Sequence, residues 1–515
     1  MKAKLSELKN DKHLLLYHLN RFTARNTQDY FIHKNLKKFL SEQLDYFVKS
    51  EVLDIETLEK EIFLDKHITR AKVVKEIGED IIDFLSQIED FQKRLWEKKK
   101  FVIKTEYVIT TDRVPEEFYG EIWKNKEQKK EWEELGFDIP ETKGELKDRK
   151  LPIDTKYFSQ EFKERLLEKL TEKQDLDDLL DGLLIKSENW QALNLLLNKY
   201  KGEVQTIYID PPFNKEQDAD YLYNVKYKDS TWASMLENRL RLARDLLSEK
   251  GSIFVRCDYN GNWIVRPLMD EIFGKENFRN EIVVKKSGVP QPEQYNLRFN
   301  PYTETLYFFS KSGTLRINPI RIKREQLEWI PMHMPKENKN KASIIINNAV
   351  FFAPKGRHFP SQDYVDVLVR ENRIKIVEKE YFDVKGIKRT KIPYFLPKGF
   401  DLSNSNWTDI PSYSQTQGFA TENSEILLKR VIESTSNEGD LVMDFFLGSG
   451  TTTAVAHKLK RKWIGVEMGE HFWTVVLPRM KKVLAYDKSG ISRENDVRAR
   501  YNEKTAGGFF KYQIL

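Results

Sequence analysis

The chain has 515 residues, enough for two to four domains. Lys and Arg number 86 against 80 Asp and Glu, so the net charge of +6 permits nucleic-acid binding without demanding it. A single cysteine, Cys257, excludes an internal disulfide and a cysteine-ligated zinc site, and no metal site is expected. No signal peptide and no apolar run of transmembrane length is present, so a soluble, cytoplasmic protein is expected.

Residues 1–150 read as a mainly helical region. Leu36, Phe39, Leu40, Leu44, Phe47 and Val48 recur at helical spacing, as do Val74, Ile77, Ile81, Phe84, Ile88, Phe91 and Leu95. The run Lys98–Lys100 reads as a solvated helix end or a phosphate contact. A charged connector and helix over 144–182 lead into a second region, 151–289. There short strands at Leu183–Ile185, Thr206–Ile209 and Ser252–Val255 alternate with helices at Ala192–Leu197 and Leu236–Leu247. This alternation predicts an α/β fold with a largely parallel sheet and helices on both faces. Cys257 closes a buried strand and reads as an inert core thiol.

Over 290–405 the rhythm breaks. Prolines are frequent, among them Pro290, Pro292, Pro301, Pro331 and Pro393. Arg321, Lys323, Arg324, Lys388 and Arg389 mix with aromatics such as Trp329, Phe359 and Tyr394. An irregular, strand-rich insertion is expected. Strand–helix alternation resumes near residue 422 and fills the last region, 406–515.

Two turns carry the chemistry. Leu441–Asp444 reads as a strand that runs through Phe446-Leu447-Gly448-Ser449-Gly450-Thr451 into a helix. Glycines there let the backbone approach a ligand at the carboxyl edge of the sheet. The next strand, Trp463–Val466, ends in Glu467, an acid placed to accept hydrogen bonds from two ribose hydroxyls. The turn lacks the third glycine of a dinucleotide fingerprint, so a phosphate-free nucleoside cofactor such as S-adenosyl-L-methionine suits it better. The competing reading is an ordinary strand–helix turn.

The second turn is Asp210-Pro211-Pro212-Phe213, directly after Ile207-Tyr208-Ile209. Consecutive prolines hold the chain extended and offer acceptors without competing donors. The Asp210 carboxylate and the Pro211 carbonyl can both accept from one exocyclic amine, and Phe213 can stack on a base. Such a site works by positioning and electrostatics on a base taken out of the duplex. A plain Pro-Pro turn is the competing reading.

With both turns in this order, the chain resembles the permuted, β-group adenine-N6 DNA methyltransferases, in particular the modification subunits of type III restriction-modification systems. The resemblance covers about 183–310 and 405–515. It extends to Leu184–Leu193, to Arg239–Arg244, to Gly251–Asp258 and to Gly507–Tyr512. Many members have Lys-Pro where this chain has Asn423-Ser424. The resemblance implies a Rossmann-like fold with a mainly parallel seven-stranded sheet. It implies catalysis by Asp210, Pro211, Pro212 and Phe213. Cofactor contacts are then expected from Asp444, Phe446, Gly448, Gly450, Thr451 and Glu467, with Glu188 and Asn189 added near the adenine. The insertion at 290–405 takes the place of a target recognition domain, making Arg321, Lys323, Arg324, Lys388 and Arg389 its DNA contacts. Asp210, where cytosine-N4 enzymes have serine, favours adenine. Candidate partners are double-stranded DNA, a restriction subunit carrying an ATP-dependent nuclease, and a second copy in a homodimer, with no membrane. Cytosine-N4 methylation and a recognition subunit without catalysis stand as alternatives.

Overall fold

The computed structural model describes residues 35–53, 64–96, 99–213, 229–286, 302–324, 326–336, 338–411, 413–414 and 422–515. Lys98, Pro290, Pro292, Pro301 and the stretch 419–421 lie outside them. The chain divides into two compact units, Met1–Asn318 with Ser405–Leu515, and Pro319–Asn404.

Among the described residues the first elements of the larger unit are two helices, α1 (Leu36–Phe47) and α2 (Leu64–Trp96). Asn35 caps α1, its side chain accepting from the Lys38 N–H. The helices pack where Gly78 admits Leu44, and ion pairs Lys37–Asp83 and Lys75–Asp45 join them.

An eleven-stranded sheet follows. Its strands in chain order are β1 (Lys104–Thr110), β2 (Pro152–Asp154), β3 (Gly182–Lys186), β4 (Val204–Ile209), β5 (Leu247–Cys257), β6 (Phe278–Lys285), β7 (Thr303–Ser310), β8 (Asn406–Pro411), β9 (Leu441–Asp444), β10 (Lys462–Glu467) and β11 (Phe509–Ile514). They lie in the order β8-β6-β7-β5-β4-β9-β10-β3-β11-β1-β2. Strands β5, β4, β9, β10, β3 and β11 are parallel, and β7 runs antiparallel between β5 and β6. The run from β6 to β3 thus holds seven strands with one antiparallel member, the number the resemblance implies, within a sheet of eleven.

The central strands read as continuous apolar runs because both faces are covered. The period of two divides them. Leu183, Ile185, Ile207, Ile209, Ile253 and Val255 pack on one face with helices α3 (Asn189–Tyr200), α4 (Asp229–Leu246) and α5 (Asn262–Phe273). Leu184, Tyr208, Phe254 and Val442 face the other way, toward α6 (Glu425–Thr435), α7 (Thr451–Lys458) and α8 (Leu477–Leu484). Cys257 is fully buried.

Two expected boundaries move. Residues 104–154 do not stay helical: β1 pairs antiparallel with β11 from Lys104↔Ile514 to Ile109↔Phe509 and extends the main sheet. Its partner strand is some four hundred residues away, which no local pattern announces. Strand β7 also returns to the main sheet, so the separate unit begins at Pro319 rather than near 290.

The smaller unit is built on a hairpin of Ile374–Phe382 with Lys388–Phe395 and a second of Ser343–Ile346 with Ala349–Phe352. Ile344, Ile346, Phe359, Val365 and Leu368 form its core. Arg321–Lys323 pairs with Phe400–Leu402 and closes its ends. Among the described residues no helix is long and apolar enough to cross a membrane.

Candidate functional site

Parallel register brings the two turns together. Val442 pairs with Thr206 and Met443 with Ile207, so β4 and β9 end side by side with Asp210 and Asp444 on the same edge. Glu467 ends β10 opposite Lys186 of β3, and Ser187 N–H donates to the Glu467 carbonyl. All the expected groups of the main sheet therefore share the carboxyl edge, the usual ligand edge of such sheets.

The glycine turn has the backbone it needs. Gly448 (φ 55°) and Gly450 (φ 82°) occupy the left-handed region, which side chains rarely tolerate, and Gly450 caps α7. Gly448 N–H donates to Glu467 Oε2 at 2.9 Å, and Gly469 N–H donates to Oε1 at 2.8 Å. The His471 ring lies 3.3 Å from Oε2. Burial alone would raise the Glu467 carboxyl, but His471 and these N–H groups outweigh it and hold it below its usual range. An ionised carboxylate has about four acceptor sites, so ribose hydroxyls still find lone pairs. Phe446 is half-buried in the turn.

Asp444 and Thr451 serve the turn from inside. Asp444 is 2% exposed and accepts from Phe446 N–H at 2.9 Å and from the Thr452 hydroxyl at 2.5 Å. Burial pushes its carboxyl up to about 7. Thr451 Oγ1 accepts from Arg479 at 2.9 Å. The same guanidinium donates to Glu425 at 3.0 Å and pairs with Glu422 at 3.2 Å, tying the turn to the start of α6.

On the other flank, Asn189 Nδ2 donates to the Phe445 carbonyl at 3.0 Å. Its Oδ1 accepts from Arg239 Nε at 2.7 Å. Glu188 caps α3 through Gln191 N–H and pairs with Arg239. Both residues thus lie beside the glycine turn, steadied by an arginine of α4 that sequence reasoning left without a role.

The proline turn is fixed by its neighbours. Trp232 Nε1 donates to the Pro212 carbonyl at 2.8 Å. Pro211 is buried, while Pro212 and Phe213 are half-buried. Asp210 Oδ2 accepts from Asn423 Nδ2 at 3.1 Å, with Arg256 NH1 at 3.7 Å. Asn423 Oδ1 in turn accepts from Arg256 and from the Tyr208 hydroxyl, which sets the orientation of its amide. Arg256 is fully buried, pairs with the buried Glu304 and lies 4.0 Å over the Tyr413 ring. Burial pushes the Asp210 carboxyl up to about 6, and Arg256 and Asn423 keep it from rising further.

Sequence reasoning missed Arg256 as a functional group, although an arginine inside the apolar strand Ile253–Cys257 is a signal in itself. A buried cation needs a carboxylate. Asn423 and Glu304 gave no such sign.

The smaller unit separates the five expected DNA contacts. Arg324 pairs with Asp401, Lys388 with Glu380, and Arg389 with the buried Asp383. Asp383 also accepts from Lys385 and Ile387 N–H, so Arg389 helps to hold a turn. Arg321 and Lys323 are exposed, and no carboxylate among the described residues lies within ion-pair distance of either. Arg321 stacks over Phe400 at 4.6 Å.

A family model described as DNA methylase matches residues 204–477, just over half of the chain. Among curated proteins, the probable type III restriction-modification enzyme HindVI Mod subunit of Haemophilus influenzae is 31% identical over 390 residues, 61% of this chain and 52% of that protein. The type II methyltransferase M.EcaI of Enterobacter cloacae is 26% identical over 313 residues, 56% of this chain and 67% of that protein. The chain spans about half the length of the type III relatives it matches. Among solved structures, the cytosine-N4-specific PvuII DNA methyltransferase is 14% identical with a TM-score of 0.36, over 62% of this chain and 92% of that one. The matched stretch holds the proline turn, the glycine turn and Glu467 together, and the chain belongs to the DNA methylase family.

Proposed function

We infer that the chain methylates the exocyclic amine of a base flipped out of double-stranded DNA, with adenine N6 as the target. The observation that carries this is the adjacency of β4 and β9, which sets Asp210 beside the glycine turn. S-adenosylmethionine supplies the methyl group when bound. Gly448 and Gly450 give it backbone room, Glu467 takes its ribose, Phe446 offers an apolar surface, and Glu188 and Asn189 flank the adenine end. Asp210 and the Pro211 carbonyl accept from the target amine and turn its lone pair out of conjugation. As the N–C bond forms, the methyl–sulfur bond breaks and the sulfonium sulfur keeps the pair as a neutral thioether, while the amine gives up one proton to solvent by way of the Asp210 carboxylate. Asp210 in place of serine favours adenine over cytosine N4. The smaller unit reads the target sequence. The likeness to Mod subunits supports a restriction subunit as partner and action in the cytoplasm. Incubation of the purified chain with labelled S-adenosylmethionine and duplex DNA, followed by nucleoside analysis, tests the reading. N6-methyladenine is expected. N4-methylcytosine reassigns the base, and unmodified DNA overturns the activity.

Cofactor affinity should depend on Glu467 more than a ribose contact alone requires. In Glu467→Ala the Gly448 and Gly469 N–H groups also lose their acceptor. Bonds to a charged group contribute about 1.5–3 kcal/mol, so calorimetry should show at least a tenfold rise in Kd. Gly448→Val combines backbone strain with a side chain in the ligand's space and should abolish binding. Wild-type affinity in both variants means that the turn is only structural.

The rate should also follow the Asp210 carboxyl. Only the ionised form accepts from the amine through both oxygens, so methyl transfer should fall as pH drops through about 6. Removing the nearby cation in Arg256→Met disfavours the charged carboxylate, and the acid limb should move to higher pH. A limb that stays in place would show that Arg256 has no electrostatic hold on Asp210.

A further inference from the structure

Glu422 and Asn423 stand side by side in the chain ahead of α6, and their side chains serve different turns. Asn423 Nδ2 donates to Asp210 Oδ2 at 3.1 Å. Glu422 is fully buried and pairs with Arg479 at 3.2 Å. The same guanidinium, buried on α8, donates to Thr451 Oγ1 at 2.9 Å and to the Ser449 carbonyl at 3.3 Å within the glycine turn. We propose that Arg479 and Glu422 are positioning residues for the target amine. They fix Asn423, and through it the Asp210 carboxylate, against the cofactor turn.

This strut has a rigid anchor. Arg479 also donates to Glu425 at 3.0 Å. Glu425 in turn accepts from Lys458 on both oxygens at 3.0 Å and from Ile491 N–H at 3.0 Å. Asp487 lies 2.6 Å from the same ammonium. Lys458 and Arg479 therefore already have Glu425 and Asp487 to balance them. A further buried carboxylate carries a desolvation penalty and is not needed to neutralise either cation. What Glu422 adds is direction. A guanidinium is a planar fork of five donors, so a carboxylate on its edge is held in place as well as in charge. The backbone fixes the next link: Ser414 N–H donates to the Glu422 carbonyl at 2.8 Å, and Tyr413 bridges to Asn423. Glu422 is thus held at its carbonyl and at its carboxylate, and the adjoining Asn423 amide is kept on Asp210. Small displacements of a group that orients the reacting atoms have large effects on rate.

This role rests on the methyl-transfer reading, and a double-mutant cycle on the full chain tests it. Single-turnover rates are measured with saturating labelled S-adenosylmethionine and unmodified duplex DNA, beside calorimetry of the cofactor alone. Glu422→Ala should slow transfer about tenfold or more. Its cofactor affinity should stay near wild type, because Ser449, Thr451 and Glu425 still hold Arg479. Glu422→Gln keeps an acceptor for the guanidinium and should recover most of the rate. Asn423→Ala should slow transfer too, and adding Glu422→Ala to it should bring no further loss, since residues that act through one contact are not additive. Lys481→Met is the structural control. It breaks a buried pair with Asp154 at 2.6 Å elsewhere on α8, and it should lower the melting temperature without slowing transfer. A wild-type rate in Glu422→Ala, losses that add across Glu422 and Asn423, or a Lys481→Met chain as slow as Glu422→Ala overturns the positioning role alone. A wild-type chain that transfers no methyl group overturns the methyl-transfer reading and this role with it.

Discussion

Replacing Asp210 by alanine should abolish methyl transfer while leaving the affinity for S-adenosylmethionine near its wild-type value. The carboxylate ends β4, and its closest partners are Asn423 and Arg256; neither belongs to the glycine turn. The cofactor groups hang instead on β9 and β10, where Glu467, Gly448 and Gly469 form their own hydrogen-bonded unit. Removing a preorganised acceptor that acts in the transition state costs about 10²–10³ in rate. The true loss should reach the upper end. In the variant the Asn423 amide loses its Asp210 acceptor, and buried Arg256 keeps Glu304 as a carboxylate partner. Single-turnover methyl transfer and calorimetry on the same preparation separate the two effects. Near-normal turnover removes Asp210 from catalysis. Lost cofactor affinity would mean that the two turns are one structural element.

The sequence revealed what local physics controls. Strands β3, β4, β9 and β10 were readable because buried parallel strands are short apolar runs that end in turn formers. The glycine turn and the Asp-Pro-Pro-Phe turn were readable because each needs special backbone at adjacent positions. The support around Asp210 was hidden. Arg256 lies on β5, Glu304 on β7 and Asn423 before α6, and only the fold joins them. The sheet edges were hidden for the same reason, since β1 finds its partner in β11. Composition placed cations in the insertion but could not say that Arg324, Lys388 and Arg389 already hold carboxylates.

Exchanging the compact unit Pro319–Asn404 for that of a related methyltransferase should change the methylated sequence and leave the modified base as adenine-N6. The proline turn reads one flipped base, so a longer target must be read by side chains in a groove, while phosphate contacts only position the protein. The unit has its own core, and its ends are closed by pairing of Arg321–Lys323 with Phe400–Leu402, which makes 319 and 404 better junctions than 290 and 405. Within the unit, Arg321→Ala with Lys323→Ala should weaken DNA binding and lower the salt slope by about 0.9 for each phosphate left without its cation. Arg389→Ala should instead lower the melting temperature, because it takes the cation from the buried Asp383 and leaves it the Lys385 and Ile387 N–H groups alone to offset its charge among the described residues. Sequencing of methylated DNA from cells that carry the chimera decides the main point. If a folded, active chimera keeps the original target, recognition lies in the larger unit, and the smaller one serves another purpose.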